Sequence, residues 1–310
     1  QAGVSCFAID EAHCISHWGH DFRGEYRELG KLKRRFPAAA VHALTATATP
    51  RVRQDIVAQL GLKDPDVLVG DFYRPNLKYS VVRRSGRGFE GIAESVAQRQ
   101  GQAGIVYCIR RTDVDALTAM LHGRGVRAVG YHAGMDDAAR TQAQDAFSFG
   151  RADVVVATIA FGMGIDRPDT RYVIHAAMPK SLEHYQQESG RAGRDGLPAE
   201  CVLYYNGGDF GLWKTIITNN DVGNEADQLH LLGQMYDYCR SARCRHGQLV
   251  RYFGQAWERD CGGACDVCAG GLTPMPNSTV LAQKLLSGVY RTGQRFGGKH
   301  VTEVLRGAQS

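Results

Sequence analysis

Phe7-Ala8-Ile9-Asp10-Glu11-Ala12-His13 is a short apolar run that ends in two adjacent acids. A run of this length suits a buried strand, and in parallel sheets ligand chemistry sits at the carboxyl ends of strands. An Asp at such an end can hold Mg2+ through water, and a neighbouring Glu can orient and polarise an attacking water. Four residues alone are a cheap pattern, so their meaning depends on what flanks them.

Outward from this run, strand-like segments alternate with helical periodicity up to about residue 205. The strand candidates are Cys6–Ile9, Val41–Thr45, Val67–Val69, Leu77–Val82, Ile105–Tyr107, Ala128–Tyr131, Val154–Ala157, Tyr172–His175 and Cys201–Tyr204. Val114, Leu117 and Leu121 mark one intervening helix, and Met135, Ala139, Ala143 and Phe147 mark the next, which stops at Gly150. Strand–helix alternation predicts an α/β fold with parallel sheets covered by helices. After Asn206 the strands give way to helical patterns and a cysteine cluster. Thr273-Pro-Met-Pro276 reads as a linker, followed by a helix with Leu281, Leu285 and Val289 on one stripe and a second short helical pattern at Val301–Leu305.

Composition narrows the class. With 44% hydrophobic and 22% charged residues the chain has the balance of a globular protein, and 310 residues allow two or three domains. A net charge of +5 permits a polyanionic partner without demanding one. The longest apolar stretch, Val154 to Ile165, is too short to cross a bilayer and stops at Asp166. No membrane partner is therefore expected. The first residue is Gln1, not Met, so the natural N-terminus is expected to lie upstream, and no secretory leader is recognised. Nine cysteines, four of them between Cys244 and Cys268, read as metal ligands in a reducing cytoplasm rather than as a disulfide scaffold.

Further motifs follow in order. Leu44-Thr45-Ala46-Thr47-Ala48-Thr49 places hydroxyls after a strand, where they can bond the acidic pair. Ile105-Val-Tyr107-Cys108-Ile-Arg110-Arg111 is a strand leading to two arginines at a helix start, and Tyr131-His132-Ala133-Gly134 follows the next strand. Val155-Val-Ala157-Thr158 runs into the glycine loop Phe161-Gly162-Met163-Gly164-Ile165-Asp166, where glycine lets the backbone approach a ligand. Gln186-Gln187-Glu188-Ser189-Gly190-Arg191-Ala192-Gly193-Arg194 brings two arginines into one loop. An arginine supplied by a second domain can stabilise charge on a transferred phosphoryl group. Trp18 and Phe22 offer stacking faces for unpaired bases, with Arg23 and the nearby histidines as polar or cationic partners.

Taken together, these motifs resemble those of the RecQ family of superfamily 2 DNA helicases over nearly all of residues 1–210. Asp10-Glu11-Ala12-His13 is similar to the DEAH box, Cys14 to Arg23 to the aromatic-rich loop, and Gln186 to Gly196 to motif VI. The resemblance implies an ATP-dependent 3′–5′ helicase acting in DNA repair and recombination. ATP and Mg2+ would be handled by Asp10, Glu11, His13, Gly164, Asp166, Gln187, Arg191 and Arg194. Of these, Asp10, Glu11, Arg191 and Arg194 would be catalytic, with Arg194 as the arginine finger. Trp18, His20, Phe22, Arg23, Arg111, His132 and Thr158 would touch single-stranded DNA or duplex junctions. Ile109 and Arg110 depart from the small polar residues the family usually has after the cysteine, while Arg111 matches.

Cys244 and the trio Cys261-Gly-Gly-Ala-Cys265-Asp-Val-Cys268 suit a closed, tetrahedral, structural Zn2+ site. An iron–sulfur cluster is the chemical rival, and Cys239 is a spare ligand. The spacing resembles the RecQ zinc-binding domain, with three residues instead of two between Cys261 and Cys265. The expected organisation is the C-terminal part of a RecA-like domain over 1–70, a second RecA-like domain over 71–206, a helical zinc-binding domain over 207–271 and the start of a winged helix over 272–310.

Gly293-Gln-Arg-Phe-Gly-Gly298-Lys299-His300 approaches the spacing of a phosphate-binding loop. His300 replaces the Ser/Thr that would ligate Mg2+, and no apolar strand precedes it. It better resembles the opening of the family's winged helix, where Arg291, Arg295 and Lys299 would join a duplex-binding surface. No other stretch of the 310 residues matches a phosphate loop. The expectation is that this chain by itself neither binds ATP tightly nor unwinds DNA. A zinc-stabilised DNA-binding module without motor activity, and an enzyme acting on RNA, stay open as alternatives.

Overall fold

The computed structural model describes residues 3–18, 22–85, 88–158, 161, 167–219, 224–270 and 275–307. They form two compact units, residues 1–269 and 270–310.

The first unit begins with a small lobe. Strands β1 (Cys6–Ile9) and β2 (Ala40–Ala43) pair in parallel, connected by 3-10 turns at Ala12–Ile15 and Gly24–Lys31 and by the short helix α1 (Leu32–Arg35). Helix α2 (Pro50–Leu60) closes over them and buries Val52, Ile56 and Leu60 against Ile9, Ala12 and Ile15. Its start is well specified. Pro50 occupies the first turn, where its missing N–H costs nothing, and the Thr49 hydroxyl accepts from Val52 N–H.

Val67–Val69 corrects the strand expectation. The segment pairs with nothing among the described residues, and Val67, Leu68 and Val69 are exposed, Leu68 almost wholly. Its β-branched residues carry strand propensity, but propensity without a neighbouring edge makes no ladder.

A second, larger lobe carries β3 (Leu77–Arg83), α3 (Glu90–Ala97), β4 (Ala103–Tyr107), α4 (Arg111–His122), β5 (Ala128–Tyr131), α5 (Asp137–Ser148), β6 (Val154–Ala157), β7 (Thr170–His175), α6 (Leu182–Ser189) and β8 (Ala199–Tyr205). All six strands are parallel, in the order β3-β8-β7-β4-β6-β5. The central strands are buried on both faces, as their uninterrupted apolar runs require. Val106, Val154, Val156, Tyr172 and Ile174 face α3 and α4, while Ile105, Val155 and Val173 face the opposite core. Gly104 is obligatory, because a Cβ there would stand 2.0 Å from the Tyr172 ring. Met135 lies outside α5, which starts at Asp137 behind the capping carboxylate of Asp136.

Helices α7 (Gly207–Asn219), α8 (Glu225–Arg240) and α9 (Arg245–Tyr252) complete the first unit, and Trp213, Leu232, Met235, Leu249 and Val250 extend the core of the second lobe. The second unit pairs α10 (Ser278–Arg291) with α11 (Gly298–Leu305). Leu281, Leu285 and Val289 fall on α10 as expected but stay exposed, whereas Gly288 is buried and faces Leu305. The rejected phosphate-loop look-alike begins in the turn between these helices, with Gly293 and Gln294 in the left-handed region, and runs into the first turn of α11. Among the described residues no helix is long and apolar enough to cross a membrane.

Candidate active site

A cleft of ≈ 1360 Å³ runs through the first unit. The small lobe contributes Glu11, His13, Arg23 and Thr45 to its walls, and α6 with its following loop contributes Gln187, Arg191 and Arg194. Glu11 and the two arginines, about 180 residues apart in sequence, thus line one crevice.

The acidic wall is built by a sharp turn after β1. Glu11 has φ 49 and ψ 40, a left-handed conformation that is uncommon for a side chain larger than glycine and costs energy. Neighbouring bonds hold it there. Ala12 N–H donates to Leu44 O at 2.9 Å, Cys14 N–H to Glu11 O at 2.9 Å and Leu44 N–H to Ile9 O at 2.8 Å. His13 is buried, and its Nδ1 lies 2.8 Å from the Thr45 hydroxyl and 3.3 Å from Glu11 Oε2. The imidazole therefore joins the acid to the threonine-rich segment after β2. Asp10 is exposed and not on the cleft wall; its Oδ1 accepts from Glu11 N–H at 2.8 Å.

The arginine wall is supported from behind. His175 and Glu188, both buried, meet at 2.8 Å. The Tyr107 ring stacks on His175, and Arg191 lies beside the Tyr107 phenol. Burial pushes that phenol well above its ordinary pKa, with Arg191 opposing. The loop itself returns to the amino ends of the strands, where Gly193 N–H donates to Thr170 O at 2.8 Å. Strand-end reasoning from the sequence concerned the acidic pair, and Glu11 follows the carboxyl end of β1. Sequence reading missed Arg74 and Asn76, whose side chains bond the carbonyls of this loop. The only signal for them was the Arg-Pro-Asn tripeptide just before β3.

The residues expected to meet DNA fall into two groups. Arg111, His132 and Thr158 gather at the carboxyl ends of β4, β5 and β6. A Cβ on Gly134 would stand 3.1 Å from His132 Nδ1 and 3.2 Å from Arg111 Nη1, so these side chains converge. His132 Nδ1 accepts from Gly134 N–H, which leaves Nε2–H to donate to Asp115 at 3.1 Å. Trp18, Phe22 and Arg23 sit on the small lobe. Arg51 lies 3.2 Å over the Trp18 ring, and Phe22 stacks on His17 at 4.1 Å. One face of each ring already has a partner. His20, Gly164 and Asp166 lie outside the described residues.

Cys244, Cys261, Cys265 and Cys268 converge, with all four Sγ atoms within 4.8 Å of one another. Four sulfurs at about 2.3 Å from a zinc ion stand about 3.8 Å apart, so the donor set fits a tetrahedral ion. N–H groups turn toward the sulfurs: Gly247 N–H to Cys244 and Cys268 N–H to Cys265, both at 3.4 Å. Burial raises the Cys265 thiol, but donors from Cys268 and Arg245 outweigh it and leave it below its ordinary pKa. Cys268 is pushed up to about 11, by burial first and then by Cys265. Cys239 is buried in the α8 core and is not among the converging four. The cysteine loop docks on edge strand β3: Tyr79 N–H donates to Ala264 O at 3.1 Å, and Asp266 N–H to Tyr79 O at 2.9 Å. Asp266 also takes a two-pronged bond from Arg245, at 2.9 and 3.1 Å.

Comparison with known proteins matches this layout. The helicase conserved C-terminal domain family matches residues 89–196, the RecQ zinc-binding family residues 207–269 and the RQC domain family residues 275–310. The ATP-dependent DNA helicase RecQ of Pasteurella multocida is 44% identical over 307 residues, which is 98% of this chain and 48% of that protein. The ATP-dependent DNA helicase Q-like 4B of Arabidopsis thaliana is 39% identical over 97% of this chain and 28% of its own length. The chain thus spans about half, or less, of the length of these curated relatives. Among solved structures, S. cerevisiae Dbp5 bound to RNA and ADP BeF3 superposes with a TM-score of 0.54 at 19% identity, over 74% of this chain and 63% of Dbp5, which is a likeness of fold.

Proposed function

The chain belongs to the RecQ family of superfamily 2 helicases, and from that premise we propose that it supplies the acid wall and the arginine wall of an ATP-driven 3′–5′ DNA motor. The observation that carries this reading is the shared cleft, with Glu11 and His13 on one side and Gln187, Arg191 and Arg194 on the other. Glu11, oriented by His13, accepts a proton from the attacking water. Arg194, with Arg191 beside it, meets the negative charge that builds on the transferred phosphoryl group. Because the two walls come from different lobes, turnover depends on their approach, and relative motion of the lobes becomes a step along single-stranded DNA. Asp10, adjacent to Glu11, would hold Mg2+ through water, although its exposed carboxylate lies off the cleft wall in this structure. Arg111, His132 and Thr158 contact the strand at one end of the large sheet, and Trp18, Phe22 and Arg23 report its presence to the acidic turn. The four cysteines hold zinc, which supplies folding energy and leaves no open coordination position.

No stretch of these 310 residues matches a phosphate-binding loop, and we propose that ATP turnover needs such a loop. The test is ATP hydrolysis with and without single-stranded DNA, on the intact protein and on the 310-residue chain. DNA-stimulated turnover in the first and none in the second is expected. Turnover by the 310-residue chain would remove the requirement for the missing loop. Salt-sensitive DNA binding without any turnover by the intact protein would favour a DNA-binding module.

A further inference from the structure

We propose that Arg74 and Asn76 are positioning residues for the arginine loop: the tripeptide Arg74-Pro75-Asn76 fixes the backbone between Arg191 and Arg194 and so sets where their guanidinium groups stand in the cleft. This rests on the proposed role of those arginines in meeting phosphoryl charge.

After α6 the chain turns back toward β8, and the carbonyls of Ala192 and Gly193 have left the helical ladder. Such carbonyls need donors. Arg74 Nη2 donates to Gly193 O at 2.9 Å and to Ala192 O at 3.2 Å. Asn76 Nδ2 donates to Gly193 O and to Leu197 O, both at 2.9 Å, and Asn76 O accepts from Ala199 N–H at 2.9 Å. One tripeptide therefore grips the loop on both sides of Arg194. A cation beside the carbonyl end of a helix is also favoured by the helix dipole.

The grip has no slack. Gly193 has φ +55, and a Cβ there would stand 2.5 Å from Asn76 Nδ2 and 2.8 Å from Leu197 O. Pro75 restricts the backbone between the two donors. The strap is fixed at its other end too. Phe72 N–H donates to Gln255 Oε1 at 3.0 Å, and the Phe72 ring stacks on Phe253 at 4.3 Å. Arg74 also borders the cleft, yet its Nη2 is engaged by carbonyls, which marks it as a support and not a group that meets phosphate. A planar fork reaches two carbonyls at fixed geometry, whereas an ammonium is a point charge, so lysine is a poor replacement.

The test uses Arg74→Ala, Arg74→Lys and Asn76→Ala. In the 310-residue chain, amide hydrogen exchange at Gly193, Gly196 and Ala199 should quicken in each variant while exchange in β4 and β6 is unchanged. In the intact protein, kcat for DNA-stimulated ATP hydrolysis should fall roughly 10- to 100-fold, the scale of a small misplacement of a catalytic group, with KM for ATP and affinity for single-stranded DNA within about two-fold. Binding of ADP with aluminium fluoride should weaken by a similar factor while ADP binding holds, and lysine should not rescue. Should Arg74→Ala fail to fold, Asn76→Ala carries the same readings. Wild-type exchange rates, or quickened exchange with kcat and analogue binding unchanged, would overturn the proposal. If the wild-type intact protein hydrolyses no ATP, the proposed function fails, and the exchange measurement alone decides whether the tripeptide holds the loop.

Discussion

The cleft and the cysteine cluster solve opposite problems. The cleft gathers Glu11, Thr45 and Arg194 from distant segments and leaves them a shared cavity. The cluster draws four thiols from 25 residues of chain and closes on itself, with Cys261 and Cys265 buried. One region must keep charge available to a substrate and allow its walls to approach; the other must satisfy every ligand position and move as little as it can. Each region gets its precision from a different source. The cluster takes it from ligand spacing. The cleft takes it from residues that do no chemistry, such as the carbonyl-binding Arg74 and Asn76 and the buried His175–Glu188 pair.

The largest effect expected from breaking this contrast is at the cluster. Cys265→Ser, or prolonged chelation, should strip the metal and abolish cooperative unfolding of residues 207–269, since structural zinc contributes on the order of 10 kcal/mol. Metal analysis together with thermal melting would read it, and a full zinc complement in the variant would reject the ligand set. Next comes the cleft. Arg194→Ala in the intact protein should lower ATP turnover about 1000-fold, with single-stranded DNA affinity and melting temperature near wild type. Unchanged turnover would take Arg194 out of the phosphoryl role.

A third effect sharpens the contrast. Asp266→Ala leaves the Arg245 guanidinium buried without its carboxylate and removes the side-chain bond from Val81 N–H of β3, while the backbone bonds to Tyr79 remain. A loss of about 3 kcal/mol in denaturant unfolding is expected, with ATP turnover kept once folded. The smallest effect tests whether the regions are independent. Tyr252 in α9 donates to Glu183 in α6 at 2.5 Å, a side-chain bond from the cysteine-bearing subdomain to the helix that precedes the arginine loop. Tyr252→Phe should cost about 1–2 kcal/mol of stability. If it also lowers kcat, the two regions are coupled; if it lowers stability alone, they are separate.

Much of this was legible in the sequence for a physical reason. Buried parallel strands need continuous apolar runs, so β6 could be read with its ends in place; β1, expected as buried but largely exposed, and the partly buried β5 were read from their apolar and β-branched residues. Acids, paired arginines and clustered thiols are rare combinations tied to particular chemistry. Val67–Val69 misled because β-branched residues announce strand propensity but not a partner. The grouping of Arg111 with His132, and the placing of Arg194 at the opposite end of the sheet, depend on strand order, which periodicity does not encode. Arg74 and Asn76 were hidden because their partners are backbone carbonyls, and a carbonyl leaves no mark in a sequence.

The most direct test of the central claim is a crystal structure of the intact protein with Mg2+, ADP and aluminium fluoride. Glu11 and Arg194 should stand on opposite sides of the trapped phosphoryl mimic, each within hydrogen-bonding reach of it or of its attacking water. A mimic bound with Glu11 or Arg194 on an unrelated surface would contradict the account.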